Sequence, residues 1–203
     1  MTQHKFSIPA PSGVLQGVVH MPAGMPRAIA VVAHPLPIMG GTMDNKIVTT
    51  LVKTFVELGF IAIRFNFRGV GESSGVYDEG NGEVYDVQAI VQYALDEFGS
   101  LPLILSGFSF GGYVQARAAE KMNPHKLVLI APAVGRFAMP LVPANTLLIH
   151  GELDEVVALS DLFTWARQQH LPIVVVPEAT HYFHGHLHRL KAIVSQHFMG
   201  HPL

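Results

Sequence analysis

Short, almost uninterrupted apolar runs recur along this chain and alternate with longer stretches whose apolar residues fall at helical spacing. The runs are residues 28–33, 61–65, 103–106, 127–130, 146–149 and 173–176. A strand that is apolar on both sides needs cover on both, and a parallel sheet flanked by helices supplies it. Helical spacing occupies 45–58, 83–98, 110–121, 159–169 and 187–197, with Gly59 and Gly99 where helix C-caps fall. Residues 6–8 and 15–20, parted by the turn Pro11-Ser-Gly13, read as an opening hairpin. The alternation predicts an α/β chain with eight strands, mostly parallel, helices on both faces, and residues 1–203 in one domain.

Composition agrees. Charged residues are 14% of the chain, against roughly 25% in ordinary soluble domains, as a sheet buried on both faces requires. The 13 Lys+Arg against 15 Asp+Glu leave a net charge of −2 without a run of either sign. That pattern carries no electrostatic footprint for nucleic acid or an anionic membrane. The chain has no cysteine, which excludes disulfides, thiolate zinc sites and a cysteine nucleophile. The segment 1–11 lacks a signal-peptide pattern, and no apolar run approaches the ~18 residues of a membrane span. The expectation is a cytoplasmic protein, monomeric or a small homo-oligomer.

The segment Gly107-Phe-Ser-Phe-Gly111 is a G-x-S-x-G placed directly after an apolar run and directly before a helical one. A nucleophilic serine in that setting sits on a strained strand-to-helix turn, where the flanking glycines pack too closely for a Cβ. The competing meaning is a serine that merely caps the helix. Serine needs a base within hydrogen-bond reach and an acid to orient that base. In this architecture they follow in the order serine, acid, histidine, each after a strand. Asp154, in His150-Gly-Glu-Leu-Asp154-Glu, is the expected acid, with Glu152 and Glu155 as alternatives. His181, in Glu-Ala-Thr-His181-Tyr-Phe-His184, is the expected base, with His184 as the alternative.

An oxyanion formed at Ser109 needs backbone donors. Phe110 supplies one N–H, and the loop His34-Pro-Leu-Pro37 offers Leu36 as the other, because Pro35 and Pro37 have none. The glycine-rich segment 64–75 lacks the Gly-Lys-Ser/Thr ending of a phosphate loop and is expected to shape a wall of the site's mouth. Histidines 181, 184, 186 and 188 lack a carboxylate partner in their cluster, so neither a metal nor any cofactor is expected. The stretch 132–143 is too short to hold a substantial lid.

Together, His34-Pro-Leu-Pro, Met39-Gly-Gly-Thr-Met-Asp-Asn-Lys46, Arg64-Phe-Asn-Phe-Arg-Gly-Val-Gly71, Gly107-Phe-Ser-Phe-Gly-Gly112, His150-Gly-Glu-Leu-Asp154 and Thr180-His-Tyr-Phe-His-Gly185 resemble the small lidless bacterial α/β-hydrolases related to dienelactone hydrolases. The resemblance implies the α/β-hydrolase fold, carboxylic ester hydrolysis, no cofactor, and the same Ser109, Asp154 and His181. The chain departs from that group at Leu36, where members often carry histidine, and in having serine rather than the cysteine of dienelactone hydrolases proper. A small-molecule ester is the expected partner, with thioester or lactone hydrolysis, or ligand binding without turnover, as the alternatives.

Overall fold

In a computed structural model describing residues 2–200, one eight-stranded sheet runs through the molecule in the order β1-β2-β4-β3-β5-β6-β7-β8. The strands are β1 (Thr2–Ala10), β2 (Gly13–Met21), β3 (Ala28–Ala33), β4 (Phe60–Phe65), β5 (Leu103–Phe108), β6 (Lys126–Ile130), β7 (Leu147–Gly151) and β8 (Ile173–Val176). β2 is antiparallel to β1 and to β4, and every later pairing is parallel.

Among the described residues, five α-helices cover the sheet: α1 (Lys46–Glu57), α2 (Asn81–Phe98), α3 (Phe110–Met122), α4 (Leu159–Arg167) and α5 (Leu187–Gly200). Alternation along each strand sorts the core into two layers. Ile29, Val31 and Ala33 of β3 pack with α2, α3 and α4, while Ala28, Ala30 and Val32 pack with α1 and α5. Every residue of β3 and β5 is buried. That is why these strands read as continuous apolar runs. Burying each Val, Leu or Ile stabilises the fold by about 1.5–3 kcal/mol before chain entropy is counted.

The expected strands and helices are all present. β1 is longer than the 6–8 expected, because its polar first half lies exposed at the sheet edge and is held only through its backbone pairing with β2. α2 starts at Asn81 rather than Glu83, since the Glu83 carboxylate accepts the N–H of Gly80 at 2.8 Å and closes the first turn. Parallel strands bring all their C-terminal ends to one edge, and the loops following β3, β5, β7 and β8 meet there.

No helix among the described residues is long and apolar enough to cross a membrane.

Candidate active site

Ser109 joins β5 to α3 with φ 54° and ψ −118°, a backbone conformation that a side chain rarely adopts. The neighbouring glycines make it attainable. A Cβ on Gly107 would lie 2.3 Å from Gly111 O, and one on Gly111 would lie 2.5 Å from Ala33 O. The Ser109 N–H donates to Ile130 O at 2.9 Å, which ties the turn to β6. Its hydroxyl does not cap α3. It reaches instead to His181.

His181 sits in the loop after β8 and is 2% exposed. Its Nε2 lies 3.1 Å from Ser109 Oγ and its Nδ1 2.8 Å from Asp154 Oδ2. An ionised carboxylate only accepts, so Nδ1 carries the ring proton and Nε2 is free to accept from the serine hydroxyl. Asp154 Oδ1 accepts the N–H groups of Val156 and Val157 at 2.9 and 2.7 Å. Burial pushes this carboxyl upward, but the bonds from His181, Val157 and Val156 outweigh it and leave its pKa below the ordinary value.

The alternative residues lie elsewhere. Glu152 and Glu155 take backbone N–H groups, those of Glu178 and His181, at 2.9 and 3.2 Å. The His184 ring stacks on Tyr182, 5.8 Å between centroids. Of the candidates, only Asp154 and His181 join Ser109 in one hydrogen-bonded line.

Ser109 and His181 open into a cavity of about 370 Å³ that Leu36 and Phe110 also line. Phe110 begins α3, so its N–H has no acceptor within the helix. Leu36 precedes a short 3₁₀ turn, Pro37–Met39. The peptide that carries its N–H is gripped from the other end. The Pro35 carbonyl accepts Nδ1–H of His34 at 2.7 Å, while His34 Nε2 accepts the N–H of Phe67 at 3.1 Å. The Pro35–Leu36 peptide is trans, as is every peptide among the described residues, so the Leu36 N–H points opposite to that carbonyl. Burial lowers the His34 pKa to about 4, against a smaller opposing pull from Pro35, and the clamp stays neutral.

His34 as a clamp was not among the expected site residues, although it opens the loop that the sequence singles out. Arg136 and Phe137, which line the cavity, carried no sequence signal, and Asn45, also in the lining, lies in a stretch that marked the resemblance without any role of its own. The segment 64–75, expected to form a wall of the mouth, contributes no lining residue to this cavity. Arg68 turns away to pair with buried Asp86 at 2.8 Å, and Phe67 packs behind Phe110 with ring centroids 5.7 Å apart. The segment backs the wall rather than facing the cavity. Among the described residues, no group of three or more His, Asp or Glu side chains is placed to hold a metal ion.

The profile of the family described as serine aminopeptidase, S33, matches residues 25–145. The chain belongs to that family. The match takes in Leu36, Ser109 and Phe110, while Asp154 and His181 lie beyond it. Solved structures extend the likeness over nearly the whole chain. One from Xanthomonas campestris, described as an α/β serine hydrolase without a lid, is 35% identical with a TM-score of 0.93, covering 97% of this chain and 94% of that one. An α/β serine hydrolase homologue from Coxiella burnetii is 37% identical with a TM-score of 0.88, covering 97% of each chain. A putative α/β hydrolase from Agrobacterium tumefaciens is 27% identical with a TM-score of 0.89, covering 96% and 94%. This chain is thus a small lidless α/β-hydrolase of the serine hydrolase type.

Proposed function

We propose that the protein hydrolyses carboxylic esters of small or short-acyl substrates through an acyl-enzyme formed on Ser109. The observation that carries this is the unbroken line from Ser109 Oγ through His181 to the buried carboxylate of Asp154, opening into a cavity shared with Leu36 and Phe110. Ser109 Oγ attacks the ester carbonyl as His181 Nε2 takes its proton. The N–H groups of Phe110 and Leu36 receive the oxyanion. His181 then passes the proton to the leaving alcohol, and water releases the acid by the same steps. Asp154 holds the imidazole in its Nδ1–H tautomer and stabilises its charged form.

The cavity's lining favours esters over the peptide N-termini that the family's description suggests. An aminopeptidase substrate brings a free ammonium group, which calls for a nearby carboxylate. The lining contains Arg136 and no Asp or Glu, so its field opposes that cation.

Hydrolysis of p-nitrophenyl esters of graded chain length by wild type and Ser109→Ala tests the reading. The expected result is activity confined to wild type and falling as the acyl chain lengthens. Turnover that survives the substitution would remove Ser109 from the mechanism. Turnover of thioesters or lactones in place of these esters would move the substrate class and keep the chemistry.

A further inference from the structure

The loop that carries Asp154 is closed by a second histidine, which the line from Ser109 to Asp154 does not use. His150 is the penultimate residue of β7 and is fully buried. Its Nε2 lies 2.9 Å from Val157 O and 3.4 Å from Asp154 Oδ2. Both neighbours are acceptors, so the ring proton sits on Nε2, bonded to the carbonyl and leaning on the carboxylate. Nδ1 is buried with no partner. Burial first, and then the nearby His181, lower the pKa of His150 against the opposing pulls of Val157 and Asp154. The ring is a fixed, neutral donor.

Val157 is thereby held twice. Its N–H donates to Asp154 Oδ1 and its carbonyl accepts from His150. His150, Val157 and Asp154 close a small ring, and the carboxylate cannot turn without losing bonds on both of its oxygens. The oxygen on which His150 leans, Oδ2, is the one that accepts from His181. The other titratable groups around His181 are Glu155, which accepts its backbone N–H, and Tyr182, whose ring stands edge-on to it.

We propose that His150 is a positioning residue for the acid: its Nε2–H, set between the Val157 carbonyl and Asp154 Oδ2, keeps Oδ2 facing His181 and tempers that oxygen's pull on the imidazolium formed in turnover. This rests on the proposed roles of Ser109, His181 and Asp154. Without the donor, the Val157 carbonyl loses its anchor and Asp154 is held less tightly, through Oδ1 and His181 alone, and kcat falls. In the molecules that remain aligned, Oδ2 holds the imidazolium more strongly, so protonation silences the base at a higher pH. Substrate binding, which His150 does not touch, is unchanged.

The test compares His150→Phe, which fills the space without a donor, with His150→Gln, which returns an N–H near the Nε2 position. kcat and KM for p-nitrophenyl acetate are measured across pH, beside Asp154→Ala and the His150→Phe/Asp154→Ala double variant. His150→Phe is expected to lower kcat about tenfold with KM little changed, and to move the acidic limb of kcat/KM up by about half a pH unit. His150→Gln restores most of both. In the Asp154→Ala background, His150→Phe makes no further difference, since its effect runs through that carboxylate.

Equal losses in His150→Phe and His150→Gln with an unmoved limb, or losses that multiply in the double variant, would make His150 a packing residue and overturn the proposal. If His150→Phe does not fold, His150→Asn takes its place as the variant that withdraws the donor, and the limb must move in it but not in His150→Gln. Failure of the parent reading looks different: Ser109→Ala or Asp154→Ala would be as active as wild type, whatever His150 does.

Discussion

Ser109 stands on a turn closed by backbone against backbone, whereas Asp154 and His181 stand on two loops tied to each other by polar groups. On the first side the distances are steric: Gly107 lies against Gly111, and Gly111 against Ala33, with no room for a methyl. On the second, side chains span the gap. Glu152 accepts from the Glu178 N–H, Glu155 from the His181 N–H, and Asp154 from His181 Nδ1–H. Steric closure is indifferent to protonation and fails all at once when an atom is added. Polar closure is graded and responds to the loss of a single acceptor.

The comparison breaks most visibly at Asp154. Asp154→Asn is expected to lower kcat by about 10³–10⁴-fold, as the imidazole loses its tautomer and its counter-charge. Urea unfolding should meanwhile show a folded protein, and an effect below tenfold would mean that another carboxylate serves His181. The next effect in size belongs to the one titratable clamp on the steric side. The His34 pKa is lowered to about 4 by burial, and a free imidazole titrates near ~6.5. Between those values the unfolded chain takes up a proton that the folded chain refuses. Its contribution is full above pH ~6.5 and declines as pH falls toward about 4, by about 3 kcal/mol in all. Urea titrations at pH 7 and pH 5 should record the fall, and His34→Gln should reduce it, leaving the share of His20 and His150, whose pKa values burial also lowers.

Smaller effects sharpen the contrast. Gly107→Ala places a methyl against Gly111 O and is expected to cost about 2 kcal/mol of unfolding free energy. A change within 0.5 kcal/mol, roughly the scatter of neutral surface substitutions, would show that the turn can relax. Glu155→Ala removes the exposed acceptor of the His181 N–H and should cost no more than about 1 kcal/mol, a few-fold in kcat/KM. Glu155→Gln, which keeps a carbonyl oxygen in place, should act like wild type. A loss from Glu155→Ala as large as that from Asp154→Asn would erase the graded character assigned to this side.

The two sides also differ in how far the sequence reveals them. The turn at Ser109 is legible because its demands are local: an apolar strand, a G-x-S-x-G and a helical run occupy consecutive positions. Strands β3 to β7 are legible for a related reason, since burial on both sides keeps each of them predominantly apolar, and the partly exposed β8 is legible from its unbroken β-branched run Ile173–Val176. The first half of β1 is not, because backbone pairing at an exposed edge makes no demand on side chains. Asp154 and His181 could be placed by their order after β7 and β8, yet the choice over Glu152, Glu155 and His184 needed distances. His150 acts on Asp154 and Val157 within its own stretch of chain, but its role as a donor shows only in the distances. His34 acts through Phe67, 33 residues away, and Arg136 stands at the cavity rim, and no local pattern marks either. The segment 64–75 misleads for the same reason. Its glycines describe a turn, while the partner of Arg68 is on α2.

The site has no lid, and Ile38, Met39, Val156 and Tyr182 stand exposed in its neighbourhood. With no closed state to leave, the proposed turnover contains no opening step, and its rate is set by bond-making and product escape. Such a catalyst has no reason to wait for an oil–water boundary. Its velocity should rise hyperbolically with dissolved substrate and pass smoothly through the concentration at which that substrate forms micelles.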